Sequence, residues 1–540
     1  MIDNGPGILK LRGGIESGAM PSQDLARKSL LLLGSTWGGA ALGMLVSILV
    51  GRTLGPAALG SLGFSTGVVG LVMAALLPGF AQAHLKRLAE GQDAGRCVGT
   101  MLSIQLALHA VLVAALAVVW TVQGVFTRSD LQRSPTGALV FLALLGAQVA
   151  TNFADIFLKV MIAREWVVPH AMILLSARLL RLLATFAVLA AAPGLVAVAA
   201  TFLVEPVVSG VAGALFLARR HHVTPRAPTR ASLDAYWSYA RPFLVSTPLA
   251  LFQDSIDRVL VGAWAGLTAA GHYQIARALW EALSSVIAAP ATFLFTRLSA
   301  LYARRSEAGD REAREFFFHA LDKLLFLTVP IAFAFWVFAE PGIVLLYGPA
   351  FRPAALPLRI LVLAAVVANV VNPYTLIVMA LDQAGRFVPV NLLRVVAYAL
   401  VLVALVPPQP LIDGVAGLWP GAPGAAAARL FLMLFPCWIY VRWTREVAGV
   451  PLSPHVGTYV AGFALLLVLF HALQAGGAAM GAEGWAVSPP AAGVAACVYV
   501  GYLFARHPGT GDNLRYAQAL LSPIAFIRFL RGGLRGPARP

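Results

Sequence analysis

Hydrophobic residues along this chain fall in unbroken runs, separated by short polar stretches that carry most of the charge. A helix needs about 20 apolar residues to cross the hydrocarbon core of a bilayer. Runs of that size lie near 29–50, 59–82, 98–120, 137–158, 167–190, 194–217, 242–262, 270–296, 324–346, 357–380, 387–406, 424–441, 456–474 and 489–505. The pattern predicts an all-α integral membrane protein with 14 transmembrane helices. The first run follows Arg27-Lys28 and has full spanning length, so it reads as a span and not as a cleaved signal peptide. Residues 1–19 are polar and Gly-rich, which makes Met20 an alternative start.

The basic residues orient these helices, because cytoplasmic loops carry the excess of Lys and Arg. With the N-terminus inside, 29 of the 40 Lys and Arg fall in cytoplasmic segments. Only Arg52, Arg128, Arg133 and Arg352 fall outside, and seven lie within the runs. Both ends are therefore expected in the cytoplasm. The external loops are short and leave little room for a catalytic domain.

The chain also repeats. Leu49-Val50-Gly51, then Gly55, Ala58 and Gly60, recurs as Leu260-Val261-Gly262, then Gly266, Ala269 and Gly271, at a constant offset of 211. Two six-helix halves are predicted, 29–217 and 242–441, joined by a basic cytoplasmic linker at 218–241. Residues 1–28 form a cytoplasmic lead, 456–505 two added spans, and 506–540 a basic tail. In that tail Leu514, Leu521, Ile524, Phe526 and Phe529 alternate with arginines, as in a helix lying on an anionic leaflet. Repeated halves are a common build of transporters, with the substrate path between them.

Composition fits this picture. Of the 540 residues 59% are hydrophobic and 12% charged, and mean hydropathy is +0.79, which excludes a soluble enzyme and a disordered chain. The net charge of +16 reflects loop orientation and not nucleic-acid binding, since the basic residues are scattered between apolar runs. Cys97, Cys437 and Cys497 sit in or beside apolar runs without metal-ligand spacing. No GxxxxGK(S/T) loop, HExxH or CxxC occurs, and no acidic cluster marks the first external loop, so no cofactor or metal is expected.

Charges inside spans are costly and are candidates for function. Arg178 and Arg181 share a face of the fifth run near mid-membrane. They read either as a cationic cavity lining or as a structural ion pair with Glu205, although one carboxylate cannot neutralise two guanidiniums. The seventh run carries Asp254, Asp257 and Arg258, and the eighth carries Arg277 and Glu281. The i,i+4 spacings of Asp254 to Arg258 and Arg277 to Glu281 suggest self-neutralising pairs near the outer interface, or an outer gate. Arg394 has no acidic neighbour on its own helix and reads as cavity-facing or snorkelling. Arg359 and Arg429, near outer ends, are expected to snorkel. Gly60, Gly63, Gly67 and Gly70 line one face of the second run, a stripe suited to close helix packing.

Three motifs carry a family resemblance. Gly51-Arg52-Thr53-Leu54-Gly55-Pro56 with Gly60 is similar to the opening motif of the polysaccharide flippases of the multidrug/oligosaccharidyl-lipid/polysaccharide exporter superfamily. Ser255 to Gly262, then Gly266, Gly271 and Tyr273, resembles the motif opening that family's second half. Leu346-Tyr347-Gly348-Pro349-Ala350-Phe351, then Ala355 and Leu358 to Leu361, resembles its ninth-to-tenth-span segment. The resemblance covers about residues 25–445. It implies a non-enzymatic, multi-pass protein of the bacterial cytoplasmic membrane that flips undecaprenyl-pyrophosphate-linked oligosaccharide to the outer leaflet. Arg178, Arg181, Arg394 and Arg277 would bind the polyprenyl pyrophosphate. Glu205, Asp254, Asp257, Arg258 and Glu281 would serve as gate or ion-coupling groups. Arg277 and Glu281 echo an Arg/Glu pair of the related lipid II flippases, but four residues apart instead of three. The other readings are a cation-coupled drug exporter of the same superfamily, a membrane enzyme acting on lipid-linked sugar, and a scaffold for other polysaccharide-assembly proteins.

Overall fold

The computed structural model describes residues 22–74, 79–126, 135–241, 243–302, 304, 306–381, 383, 387–407, 420–479, 488–507 and 509–521. Met20, Arg128, Arg133 and the tail beyond Leu521 lie outside these. Among the described residues every regular element is a helix. In chain order they are α1 (Ser22–Ala74), α2 (Phe80–Ala89), α3 (Ala94–Phe126), α4 (Pro135–Ala163), α5 (Val167–Ala191), α6 (Leu195–Thr201), α7 (Val204–His221) and α8 (Arg230–Ala240). Then come α9 (Phe243–Leu260), α10 (Gly266–Tyr302), α11 (Glu307–Val337), α12 (Ala339–Tyr347), α13 (Ala355–Ala380), α14 (Phe387–Leu405), α15 (Ala422–Leu434) and α16 (Cys437–Ala448). The last are α17 (Pro454–Ala479), α18 (Ser488–Arg506) and α19 (Thr510–Leu521).

Helix falls in each of the fourteen apolar ranges, and among the described residues ten stretches are long and apolar enough to cross a membrane by length and composition alone. α9 is not among those ten, since its 18 residues hold Asp254, Asp257 and Arg258. Two boundaries differ from the sequence reading. The second run does not continue to residue 82: Gly79, at φ 78°, starts the separate amphipathic helix α2. Its buried face is Phe80, Ala83, His84 and Leu88, and its last turn carries Lys86 and Arg87. The linker is also more ordered than its composition suggests. α8 starts with a capping box between Thr229 and Ser232, which satisfies two otherwise orphaned N–H groups.

The linker is fastened to the first half. Arg226 pairs with Asp93 at 3.0 Å, and Ser232 Oγ lies 2.9 Å from Thr100 Oγ1. Tyr236 Oη, fully buried, lies 2.8 Å from His84 Nδ1, and the carbonyl of Ile156 is 3.1 Å from His84 Nε2. Burial holds the His84 pKa down at about 4.

The repeat is visible in the backbone. Gly55 (φ 78°, ψ −177°) breaks α1 into two arms, and Gly266 (φ 86°, ψ 167°), 211 positions later, opens α10 after a short π-helical turn. Both conformations are open to glycine and strained for other residues. The two breaks then meet. A Cβ on Gly60 would collide with the backbone carbonyl of Leu267, and one on Gly271 with the carbonyl of Pro56. Leu267 is the 211-offset equivalent of Pro56, as Gly271 is of Gly60, so the contact is its own mirror under a pseudo-two-fold axis. The glycine stripe continues this seam: Gly63 faces Gln274, Gly67 faces Arg258 and Val259, and Gly70 faces Ser255. Arg52 also donates to the carbonyls of Leu345 and Leu346.

α17 and α18 pack together and reach the rest of the fold mainly through α11. Buried Asp322 on α11 receives Tyr459 Oη at 3.0 Å and Asn513 Nδ2 at 2.5 Å, with His507 Nε2 2.7 Å away. α19 thus docks on α11 instead of standing free.

Two outcomes are expected. Gly60→Val should force the seam apart. Overpacking costs about 1–3 kcal/mol, so labelling of an Ala278→Cys probe by an impermeant maleimide in intact cells should rise about fivefold or more. Unchanged labelling would mean that the seam does not hold the outer ends together. His84 has a folded pKa below its unfolded value of 6.5, so its contribution to stability is intact above pH 6.5 and is lost as pH falls toward about 4. A His84→Gln variant should lack that part of the acid destabilisation in thermal unfolding followed from pH 7 to pH 4.5.

Candidate functional site

Two groups of intramembrane charges form, and they differ in balance. In the second half Asp257 is fully buried. Its carboxylate accepts from Arg277 Nη1 at 2.9 and 3.0 Å, Arg429 Nη2 at 2.9 Å, Tyr273 Oη at 2.6 Å and Tyr398 Oη at 3.0 Å. Arg277 Nε also bonds Glu281 at 2.7 Å, and Asp254 lies 3.5 Å from Arg277 and 3.4 Å from Arg429. Arg258 pairs with Glu281 at 3.3 Å. Three carboxylates therefore face three guanidiniums. An ion buried in low dielectric is tolerated only when paired and fully hydrogen-bonded, and Asp257 meets both conditions.

This arrangement corrects three sequence expectations. Arg429 does not snorkel: it is 2% exposed, over the Trp280 ring at 5.3 Å. Asp254 does not pair with Arg258 along its own helix but reaches Arg277 and Arg429 on other helices. Arg277 is 3% exposed with its guanidinium committed to carboxylates, which removes it from a cavity wall. The missed partners, Arg429, Tyr273 and Tyr398, had one available signal. α9 holds two aspartates for one arginine, so a cation had to come from another helix.

In the first half Arg178 Nε and Arg181 Nη1 share the two oxygens of Glu205, at 2.9 and 3.1 Å. Two cations meet one anion. Arg181 stacks on Phe202 at 3.8 Å, and its Nε is buried without a hydrogen-bond partner. Arg178 lies across Gly39, where any side chain would displace its guanidinium.

These three residues line a cavity of about 420 Å³ with Gln148, Asp155 and Lys159, the last two paired at 3.1 Å. Arg181 and Phe202 also wall a second cavity of about 430 Å³, which lies between α1 and α10 and includes Ser47, Gln274, Glu281 and Tyr347. A third space of about 260 Å³ shares Gln148, Asp155 and Lys159 with the first. Arg181 thus stands at a junction, with Glu281 on the far wall. Arg394 lines none of these three cavities. It sits beside Tyr440 Oη at 3.3 Å and Gln253 Oε1 at 3.5 Å, with no carboxylate partner among the described residues. Among the described residues no group of three or more His, Cys, Asp or Glu is placed to hold a metal ion.

Comparison with known proteins follows the same lines. Residues 49–356 match the model of a family described as polysaccharide biosynthesis protein. No curated protein matches the chain significantly. Among solved structures, an inward-facing multidrug resistance MATE family transporter of the MOP superfamily superposes with a TM-score of 0.60 at 15% identity, covering 76% of this chain and 94% of that one. An outward-facing MATE structure gives 0.52 at 14% identity, covering 79% and 95%. A MOP superfamily transporter from Pyrococcus furiosus Vc1, described as having a binding pocket of reverse polarity, gives 0.51 at 13% identity, covering 79% and 95%. At these identities the likeness is one of fold.

Breaking a buried pair costs about 3–5 kcal/mol, and a partly exposed pair about 1 kcal/mol or less. Arg429→Ala should therefore lower the melting temperature of the detergent-purified protein far more than Arg178→Ala, read as loss of the monodisperse elution peak on heating. Equal shifts would refute the structural role assigned to the Asp257 group.

Proposed function

The chain belongs to the polysaccharide biosynthesis protein family of the MOP superfamily, and on that premise we propose that it is a flippase for polyprenyl-pyrophosphate-linked oligosaccharide. The reading rests above all on Arg178 and Arg181 sharing a single carboxylate on a cavity wall. That site has one positive charge to spare where hydrocarbon would penalise it, and a bound anion removes the penalty. Guanidiniums suit a pyrophosphate because they donate in pairs to its oxygens. Cationic drugs would meet a like charge there, which argues against the exporter reading.

In this proposal the fourteen helices all span the membrane of a bacterial cell, both ends lie in the cytoplasm, and residues 29–217 and 242–441 move as two halves. The seam at Gly60 and Gly271 closes the outer end, so the conformation faces inward. The head group enters from the cytoplasmic side and takes the place of Glu205 on one of the two arginines. Glu205, freed from one arginine by that exchange, is the group available to bind a coupling cation, while Glu281 stays paired with Arg277 and Arg258. Asp257, Arg277 and Arg258 hold the second half rigid while it rocks. Arg394 is a secondary anion contact within that half.

Flipping of a fluorescent polyprenyl-pyrophosphate sugar in proteoliposomes tests the proposal. The double variant Arg178→Ala/Arg181→Ala should fall at least about tenfold below the native chain while eluting normally, as expected for loss of charge-assisted bonds. Native-level flipping by the double variant would overturn the assignment.

A further inference from the structure

Beside the guanidinium pair lies a patch that the pyrophosphate does not need. The space of about 260 Å³ is walled by Gln82, Gln105, Gln148 and Asn152, four carboxamides from three helical elements. It adjoins the arginine cavity, with Gln148, Asp155 and Lys159 lining both. Lys159 and Asp155 neutralise each other, so the surface between the two spaces is polar without net charge.

The carboxamides are held in a chain with a direction. The His109 Nδ1 lies 2.7 Å from the backbone carbonyl of Gln105, and a carbonyl can only accept, so Nδ1 carries the proton. His109 Nε2 is then an acceptor and takes an N–H from Asn152 Nδ2 at 3.3 Å. Asn152 Oδ1 in turn accepts from Gln148 Nε2 at 3.3 Å. Every link points the same way and ends with the Gln148 carboxamide oxygen carrying no bond among the described residues. Gln105 is 4% exposed, and its Oε1 is buried with no hydrogen-bond partner. An unbonded carbonyl oxygen at that depth carries an uncompensated desolvation penalty. Gln148 thus carries an acceptor without a partner on the wall of a neutral space that adjoins a cationic one, and the Gln105 carboxamide oxygen lies covered behind it.

We propose that the Gln105–Gln148–Asn152 patch is the glycan subsite, taking the hydroxyl groups of the first sugars while Arg178 and Arg181 take the pyrophosphate. This rests on the flippase reading and gives it a division of labour. Sugar hydroxyls donate to acceptors of this kind, and neutral amides hold them without the affinity of an ion pair, so release on the far side stays possible. The combined size of the two spaces lies in the range of about 300–1,000 Å³ usual for small-ligand sites. His109 is a positioning residue: it fixes which way the Asn152 amide is turned.

Two soluble probes separate the outcomes. One is a short-chain polyprenyl pyrophosphate, and the other is the same compound carrying an N-acetylhexosamine disaccharide. Binding of both to the detergent-purified chain is followed by tryptophan fluorescence. Gln105→Met and, at the half-buried position that lines the glycan space alone, Asn152→Leu should each weaken the sugar-bearing probe by about tenfold and leave the sugar-free probe unchanged. Arg181→Ala should weaken both. If the native chain binds the two probes equally, or if the Gln105 and Asn152 variants weaken both alike, the glycan subsite is wrong and the pyrophosphate site survives. If the native chain binds neither probe, the lipid-pyrophosphate reading fails and takes the subsite with it. Asn152→Leu serves as the test should Gln105→Met not fold.

Discussion

Three guanidiniums and three carboxylates meet around Asp257 in the second half, whereas two guanidiniums share one carboxylate at Glu205 in the first. In water the difference would be trivial. In a medium of low dielectric, charge balance decides what a cluster does. A balanced cluster whose central carboxylate is fully hydrogen-bonded locks its helices, and any ligand would have to break it. An unbalanced one remains costly until something anionic arrives. The same residue type is therefore balanced in one group and in excess in the other, and the proposed anion-binding role rests on that local sum of charges.

Between these clusters runs a seam made without side chains. Gly60 and Gly271 bring two helix backbones as close as any pair can come, and Gly55 and Gly266 supply the bends that aim them there. Lipid tails give no hydrophobic drive for helix association, so contact must come from shape. A joint of bare backbone has little to hold it beyond van der Waals fit and weak hydrogen bonds. Under the flippase proposal that suits a surface that separates and re-forms, in contrast to the Asp257 group.

Much of this was legible in the sequence. The apolar runs placed the helices, because their length is set by the bilayer and depends little on tertiary context. The 211-residue offset located both glycine breaks, and the spacing of Gly60, Gly63, Gly67 and Gly70 on one face separately located the stripe that lines the seam. The pairing of Arg178 and Arg181 with Glu205 followed from matching depths on antiparallel helices. Less was legible where partners come from distant helices. Spacing along one helix suggested Asp254 with Arg258, but three-dimensional packing gave Asp254 to Arg277 and Arg429. The carboxamide patch had no signal, since neutral amides on apolar helices look like tolerated polar residues until a cavity gathers them. The order of the linker was hidden for a similar reason: its basic, Pro-rich composition says nothing of Tyr236 finding His84.

That fastening limits how the two halves are tethered. Residues 219–241 would serve as a long leash if they were free, able to reach a neighbouring molecule. Held at Arg226, Ser232 and Tyr236, the leash shortens to the few residues between Ala240 and Phe243, with a reach of roughly 10 Å. Each second half then sees its own first half at a very high effective concentration, and no other. A capping box and a buried tyrosine thus set a short tether, which works against exchange of halves between copies, a recurrent failure of duplicated proteins.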